Sequence, residues 1–142
     1  MKDRAGFTLI EMILVVVIIG LLAALVLPHF IGRTRQAEIT NAEAQIESFK
    51  TALGQFEMDA GRFPTTAEGL EALVERPSGL RESVQWRRYL DESEVPRDPW
   101  GNEYVYRHPG TVNEASYDLF SPGPDGEPGT EDDIGNTNRT DG

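Results

Sequence analysis

The stretch that decides the fold is residues 7–27, FTLIEMILVVVIIGLLAALVL, which is apolar over 21 residues apart from Thr8, Glu11 and Gly20. As an α-helix rising about 1.5 Å per residue, it would extend roughly 30 Å, the thickness of the hydrocarbon core of a bilayer. The sequence therefore predicts a membrane-spanning helix over residues 7–27. A secretory signal peptide fits less well, because its apolar region is usually about 7–15 residues long and ends in an A-x-A cleavage site.

Glu11 is the only acidic or basic residue inside the predicted span. A carboxylate in a spanning helix costs about 2.5–3.5 kcal/mol at the centre and less near an end, so it needs compensation. One interpretation is that Glu11 lies close enough to the interface to reach headgroup water. The other is an ion pair inside the membrane. Since no Lys, Arg or His lies between Phe7 and Leu27, the cation would then come from another chain or from a new chain terminus.

Beyond Pro28, which removes a helix hydrogen bond, the pattern becomes amphipathic. Apolar residues recur at alternating spacings of three and four, which predicts a helix with one apolar stripe formed by Ile39, Ala42, Ile46, Phe49, Leu53, Phe56 and Ala60. A coiled coil with a second copy is the alternative, but the intervening charges do not alternate in sign as such pairing requires. We therefore expect residues 28–60 to continue the helix and the stripe to pack on the chain's own globular part.

Residues 61–142 are expected to form that globular head. Gly61, with Pro64 soon after it, is expected to end the helix. The capping box Thr65-Thr-Ala-Glu68 predicts a short second helix to about Glu75. Alternating apolar residues predict antiparallel strands at 103–107 and 116–121. The predicted fold class is α+β: a long N-terminal helix packed against a small antiparallel sheet, with an acidic loop towards the C-terminus.

Composition argues against several classes of function. The formal net charge is −11, from 24 acidic and 13 basic residues, which argues against nucleic acid as a partner because no basic surplus is present to meet phosphates. The chain has no Cys and only two His, at positions 29 and 108, so a thiolate nucleophile, a disulfide and a multi-histidine metal site are excluded. No catalytic motif is visible, and we expect the protein not to be an enzyme.

The segment SPGPDGEPGTEDDIG, residues 121–135, shows neither a helix nor a strand pattern and carries carboxylates at Asp125, Glu127, Glu131, Asp132 and Asp133. Calcium binds about six to eight hard oxygens, and a glycine-rich loop can turn backbone carbonyls towards the ion. The spacing matches neither an EF-hand nor a nonapeptide repeat. From composition alone, a solvated acidic surface loop is therefore favoured over a calcium site.

The hexapeptide Gly6-Phe-Thr-Leu-Ile-Glu11, directly before the apolar run, resembles the processing signature of type IV pilins and of the pseudopilins of type II secretion systems. The resemblance implies that a prepilin peptidase cleaves between Gly6 and Phe7 and removes residues 1–6 as a leader peptide. It also implies N-methylation of Phe7 and contact of Glu11 with the amino terminus of a neighbouring subunit. The cost of an unpaired Glu11 carboxylate in the membrane is consistent with this processing, because cleavage creates a cation that could neutralise Glu11.

The head resembles the major pseudopilins of the same family through Asp98-Pro-Trp-Gly101, Tyr104, Tyr106, Pro109-Gly110, Tyr117-Asp-Leu119, Ser121, Gly123, Asp125-Gly126, Gly129 and Asp132-Asp-Ile134. In that family the acidic loop binds one calcium ion. The resemblance therefore implies Ca²⁺ as a ligand, held by the side chains of Asp125, Asp132 and Asp133 and by carbonyls near Pro122 and Thr130. Many members continue into Asn-Trp after this segment, whereas this chain continues with Gly135-Asn136 and a different tail.

The resemblance implies a single-pass protein of the bacterial inner membrane with its head in the periplasm. The flanking charges do not orient the span, because two basic residues precede it and two follow it, at positions 2, 4, 33 and 35. Copies of the subunit would polymerise into a periplasmic pseudopilus that helps export folded proteins across the outer membrane. Expected partners are minor pseudopilins, the prepilin peptidase, the inner-membrane assembly platform and membrane lipid. A minor pseudopilin, a type IV pilus subunit and a membrane-tethered periplasmic binding module are the alternatives.

Overall fold

The computed structural model describes residues 6–137, with the side chains of residues 25–33 outside the description. The helix α1 comprises Leu9–Ala60, and a 3₁₀ helix follows at Leu70–Leu73. Three short strands complete the regular structure described: β1 (Val105–Arg107), β2 (Asp118–Ser121) and β3 (Ile134–Gly135). They form one antiparallel sheet in the order β1-β2-β3, with Tyr106 opposite Leu119 and Ser121 opposite Ile134. The predicted α+β class is confirmed.

The chain forms two compact units, Met1–Ala37 and Glu38–Gly142, and α1 contributes to both. In the first unit, every large apolar side chain described from Phe7 to Leu22 is at least 46% exposed. Within the described residues, no helix is both long enough and apolar enough to cross a membrane. The last residues of the predicted span, 25–27, lie among those whose side chains are outside the description.

In the second unit, the apolar stripe of α1 forms the base of the core. Six of its seven members are at most 4% exposed, and Ile39 is half-buried. The core cluster joins five of these side chains, those from Ile46 to Ala60, to Leu73 of the 3₁₀ helix, Leu90 of the irregular segment (residues 74–104), Tyr106 of β1 and Leu119 of β2. The expectation that the stripe packs on the chain's own head is confirmed, and the coiled-coil alternative is wrong for this stripe.

The end of α1 follows the predicted signal. Gly61 has a φ of 73°, a left-handed conformation that suits glycine, and its amide donates to the carbonyl of Glu57 at 2.7 Å. This bond satisfies a carbonyl that the last turn of the helix would otherwise leave unpaired. The chain therefore leaves the helix immediately after Ala60, at the expected position.

The capping box forms, but the helix expected after it does not. The amide of Thr65 donates to Glu68 Oε2 at 2.8 Å, and the amide of Glu68 donates to the Thr65 hydroxyl at 3.2 Å. Arg62 donates to both carboxylate oxygens of Glu68, at 2.7 and 2.8 Å, and lowers the pKa of Glu68 to about 2. Gly69 then adopts a φ of 62°, which a right-handed helix cannot contain, so only the 3₁₀ turn Leu70–Leu73 follows.

The strands are shorter than predicted, and one was not predicted. β1 and β2 occupy the C-terminal parts of the predicted segments 103–107 and 116–121. β3 lies at the end of the acidic segment, where we expected no strand, and that expectation was wrong. A two-residue strand is too short to show an alternating pattern. It forms by pairing with residues of β2 that lie 13 and 15 positions earlier, with Ser121 opposite Ile134 and Phe120 opposite Gly135.

We expect Leu53→Ala to destabilise the head by about 2–5 kcal/mol, because Leu53 is completely buried and the substitution leaves a cavity in the core. On the same helix Met58 is 85% exposed, so Met58→Ala should change the free energy of unfolding by less than about 0.5 kcal/mol. Urea unfolding of the full chain in detergent, followed by tryptophan fluorescence, measures both. Equal effects of the two substitutions would contradict the assignment of the stripe as the core.

Candidate functional site

The predicted processing and assembly residues lie at the start of α1. Gly6 and Phe7 precede the helix, and Thr8 caps it, since the amide of Glu11 donates to the Thr8 hydroxyl at 3.3 Å. Glu11 therefore occupies the first turn, where the partial positive charge of the helix terminus stabilises a carboxylate. Phe7 is 81% exposed and Glu11 is exposed as well. Residues 1–5 of the predicted leader lie outside the described residues.

The acidic loop, residues 122–133, connects β2 to β3. It turns at three glycines with positive φ, Gly123 (69°), Gly126 (71°) and Gly129 (94°), a conformation that residues with a Cβ rarely adopt. The loop has two arms, one that follows β2 and one that leads into β3. They touch at Gly123, because a Cβ there would lie 2.3 Å from the carbonyl oxygen of Asp132. Glycine at this position is therefore required by the close approach as well as by the backbone angle.

The three predicted calcium ligands differ in burial and in contacts. Asp125 is exposed, Asp132 is half-buried and Asp133 is 7% exposed. Asp132 joins the arms, because its Oδ2 accepts a hydrogen bond from the amide of Asp125 at 3.3 Å and its Oδ1 one from the Thr130 hydroxyl at 2.6 Å. The hydrogen bond from Thr130 lowers the pKa of Asp132. Asp133 Oδ2 instead accepts the amide of Gly129 at 2.8 Å.

The two residues named for their carbonyls lie on opposite arms of the loop. Pro122 is buried immediately after β2. Thr130 is half-buried, and its carbonyl accepts a hydrogen bond from the amide of Asp133 at 3.4 Å. The second arm is thus stabilised by short-range hydrogen bonds around Thr130.

The donor chemistry of the loop fits calcium, although the carboxylates are not gathered around one point. Carboxylate and carbonyl oxygens are the ligands that calcium prefers, and residues 122–133 supply both. Over residues 6–137, excluding the side chains of 25–33, no three or more His, Asp or Glu residues are grouped so that they could hold a metal ion. The structure brings Asp125 close to Asp132 and leaves Asp133 bonded to Gly129. The calcium site remains a prediction.

Asn136 closes the C-terminal side of the loop, a role that we did not predict. Its amide donates to the carbonyl of Leu119 at 3.1 Å, and its Oδ1 accepts the amide of Leu119 at 2.7 Å. Its Nδ2 donates to the carbonyl of Tyr117 at 2.8 Å. The side chain thus continues the pairing with β2 beyond Gly135, and the chain closes this side of the loop without an Asn-Trp sequence.

Asp118, the first residue of β2, supports this closure through Asn113 and was likewise not predicted. It is 1% exposed and accepts five hydrogen bonds of 2.6–3.0 Å from the backbone amides of Thr111, Val112 and Asn113 and the side chains of Thr111 and Asn113. Burial alone would raise the pKa of Asp118, but these hydrogen bonds outweigh it and lower the pKa well below its usual value of 3.8. Asn113 also donates to the carbonyl of Asn136 at 3.2 Å.

We expect Asp118→Asn to destabilise the protein mainly above about pH 4. A carboxylate whose pKa is lowered by folding stabilises the folded state above its unfolded pKa, about 3.9, and this contribution is lost as the pH falls through the folded pKa. Urea unfolding of the full chain between about pH 2 and pH 7 should therefore show the parent losing more stability on acidification than the variant. Asp91→Asn, at an exposed position, should follow the parent curve. Parallel curves for the parent and Asp118→Asn would refute this role.

Comparisons with known proteins agree with these features. A family profile described as type II secretion system protein G matches residues 29–137, and one described as the prokaryotic N-terminal methylation motif matches residues 1–27. The type II secretion system core protein G of Pseudomonas aeruginosa is 44% identical over 138 residues, which cover 95% of this chain and 96% of the relative. The core protein G of Escherichia coli K12 is 44% identical over 135 residues, which cover 95% of this chain and 91% of the relative.

A solved structure agrees as well. The crystal structure of the major pseudopilin from the type 2 secretion system of enterohaemorrhagic Escherichia coli is similar, with a TM-score of 0.62 and 36% sequence identity. The match covers 75% of this chain and 87% of that one. The resemblance found in the sequence is therefore confirmed, and the chain belongs to the type II secretion system protein G family.

Proposed function

We propose that this protein is the subunit that polymerises into the periplasmic pseudopilus of a type II secretion system and so helps export folded proteins across the outer membrane. The observation that carries the proposal is the run of exposed apolar side chains from Phe7 to Leu22. A helix that is apolar all round is stable only when lipid or other chains bury it. The names of the relatives, core protein G and major pseudopilin, support the same assembly. The proposal assigns no catalytic role to the chain.

Processing of the precursor would create a cation for Glu11. We propose cleavage between Gly6 and Phe7 and N-methylation of Phe7, which the match to the methylation motif supports. The new amino group of Phe7 is positively charged, and no Lys, Arg or His occurs between Phe7 and Leu27. Since an unpaired carboxylate in an apolar environment is costly, Glu11 would pair with the Phe7 amine of a neighbouring subunit and so define the axial position of each subunit.

The proposed location is the bacterial inner membrane, with one span over residues 7–27 and the head in the periplasm. The span would lie in lipid before assembly and among the helices of neighbouring subunits afterwards. Both environments bury the apolar side chains, and in both the helix satisfies its own backbone hydrogen bonds. The proposed partners are other copies of the chain, minor pseudopilins, the prepilin peptidase, the inner-membrane assembly platform and membrane lipid.

We further propose that the acidic loop binds one calcium ion. The carboxylates of Asp125, Asp132 and Asp133 and the carbonyls of Pro122 and Thr130 would hold it. The contact between the arms supports this, because the amide of Asp125 lies 3.3 Å from Asp132 Oδ2. Charge supports it too, since residues 118–142 contain seven acidic residues and one basic residue. When bound, the ion would neutralise part of this repulsion and add stability to a small head that has no disulfide.

We expect Glu11→Leu to reduce filament formation by at least about tenfold, the effect of losing roughly 1.4 kcal/mol at each subunit contact. Glu11→Gln should have a similar effect, because it keeps the size and polarity of the side chain and removes only the charge. Electron microscopy of filaments assembled in cells that express the secretion machinery gives the yield, and membrane fractionation verifies that the variants still insert. Glu43→Gln, an exposed position of α1 within the head, is the control. Filaments of Glu11→Leu at the parent's yield would mean that the apolar helix is only a tether.

We expect a calcium chelator to lower the melting temperature of the full chain in detergent by roughly 10 °C when calcium was previously present at about 100 times its dissociation constant. Asp125→Ala should abolish this sensitivity because it removes a proposed ligand. Glu127→Ala removes a carboxylate from the same loop that is outside the proposed ligand set, and it should retain the sensitivity. A melting curve of the parent that does not respond to the chelator would overturn the calcium proposal.

A further inference from the structure

Asp98 is a buried carboxylate outside the acidic loop, and the turn of residues 98–102 folds around it. It is 5% exposed. Its Oδ1 accepts the amide of Trp100 at 3.1 Å and the amide of Asn102 at 2.7 Å. Backbone hydrogen bonds of 2.9 Å, from Asp98 to the carbonyl of Asn102 and from Gly101 to the carbonyl of Asp98, close the same turn. Oδ1 of the carboxylate therefore serves the turn itself, whereas Oδ2 makes only a long contact of 3.5 Å within the turn, with Asn102 Nδ2, and a shorter one further along the chain.

Oδ2 of Asp98 reaches the start of the acidic loop. It accepts a hydrogen bond from the hydroxyl of Ser121 at 2.6 Å, and the same hydroxyl accepts the amide of Gly123 at 3.0 Å. From the other end of the turn, Asn102 Nδ2 donates to the carbonyl of Gly123 at 2.9 Å. The amide and the carbonyl of Gly123 are thus both hydrogen-bonded to side chains of residues outside the range 122–133.

Gly123 is the point at which the two arms of the acidic loop touch. Its backbone packs so closely on Asp132 that an added Cβ would lie 2.3 Å from the Asp132 carbonyl oxygen and 3.2 Å from Oδ2. Holding Gly123 in place therefore constrains the position of Asp132 on the opposite arm. The turn is itself attached to α1, because Trp100 Nε1 donates to Glu38 Oε2 at 3.1 Å. A continuous series of hydrogen bonds thus connects the helix to the acidic loop.

We propose that Asp98 and Asn102 are positioning residues that hold the acidic loop in one conformation before any ligand binds. Ordering a loop on binding costs conformational entropy, and a loop that is already ordered binds its ligand more tightly. The ligand part of this inference rests on the proposed calcium site, whereas the ordering of the loop does not. The hydrogen bonds of Asp98 and Asn102 reach this region at Ser121 and Gly123, which are outside the proposed ligand set, and the two residues act through them.

The first test measures amide hydrogen exchange in the metal-free full chain in detergent. Asn102→Ala removes the side-chain bond to Gly123 and the longer one, of 3.5 Å, to Asp98 Oδ2, and it leaves the Asn102 amide bonded to Asp98 Oδ1, so it should fold. We expect exchange in residues 122–133 to accelerate about tenfold or more, while exchange in residues 46–56 of α1 stays at the parent rate. Ser121→Ala should act in the same way, and Asn41→Ala, at an exposed helix position, should change neither segment. Parent-like exchange in the loop, or equal acceleration in the helix, would overturn the proposal.

The second test measures calcium affinity by titration calorimetry on the same proteins. Removing groups that orient metal ligands typically weakens metal binding by about 10–100-fold, and we expect a weakening of this size for Asn102→Ala and Ser121→Ala with one ion still bound. Unchanged affinity in both variants would contradict the positioning role. If the parent itself binds no calcium, the calcium proposal fails, and the exchange experiment alone decides whether Asp98 and Asn102 order the loop.

Discussion

The burial of one apolar stripe on the second half of α1 is the interaction on which the head depends. The most deeply buried large side chains of the stripe, Phe49, Leu53 and Phe56, are at most 1% exposed, and burial of side chains of this size contributes about 1.5–3 kcal/mol each. The remaining elements of the head are too short to form a core by themselves, since the longest strand has four residues. The helix therefore provides the surface on which the 3₁₀ turn, the irregular segment and the sheet assemble.

Hydrogen bonds at the margin of the stripe determine how the head is aligned along the helix. Three polar helix residues separated by 7 and 14 positions accept hydrogen bonds from aromatic side chains, in the pairs Glu38 with Trp100, Gln45 with Tyr104, and Asp59 with Tyr89. Seven residues are close to two helical turns, so the three acceptors lie on one face. The rings of Tyr89 and Tyr104 pack in or against the apolar core while their hydroxyl groups donate to the helix. The first of these pairs also links α1 to the acidic loop through Asp98.

The elements that the sequence predicts are those whose signals are local. The stripe repeats every three or four residues, Gly61 ends the helix, and the capping box at Thr65 and Glu68 forms as expected. The contacts that shape the acidic loop join residues distant in sequence, such as Asn102 with Gly123, and no local pattern indicates them. The only signals were an Asx-type turn at Asp98 and a single acidic residue, Asp118, within a predicted strand. The strand β3 was not predicted because its pairing with β2 is likewise a contact between residues distant in sequence.

The first half of α1 differs from the second because its own chain does not bury it within the described residues, and under the proposed function its burial is assigned to lipid and to other subunits. That assignment depends on a mature chain that starts with a charged amine four residues before Glu11. Intact-mass and N-terminal sequence analysis of the protein purified from cells that contain a prepilin peptidase tests it most directly. We expect a chain that begins at Phe7 and carries one additional methyl group. A chain that begins at Met1 would contradict it.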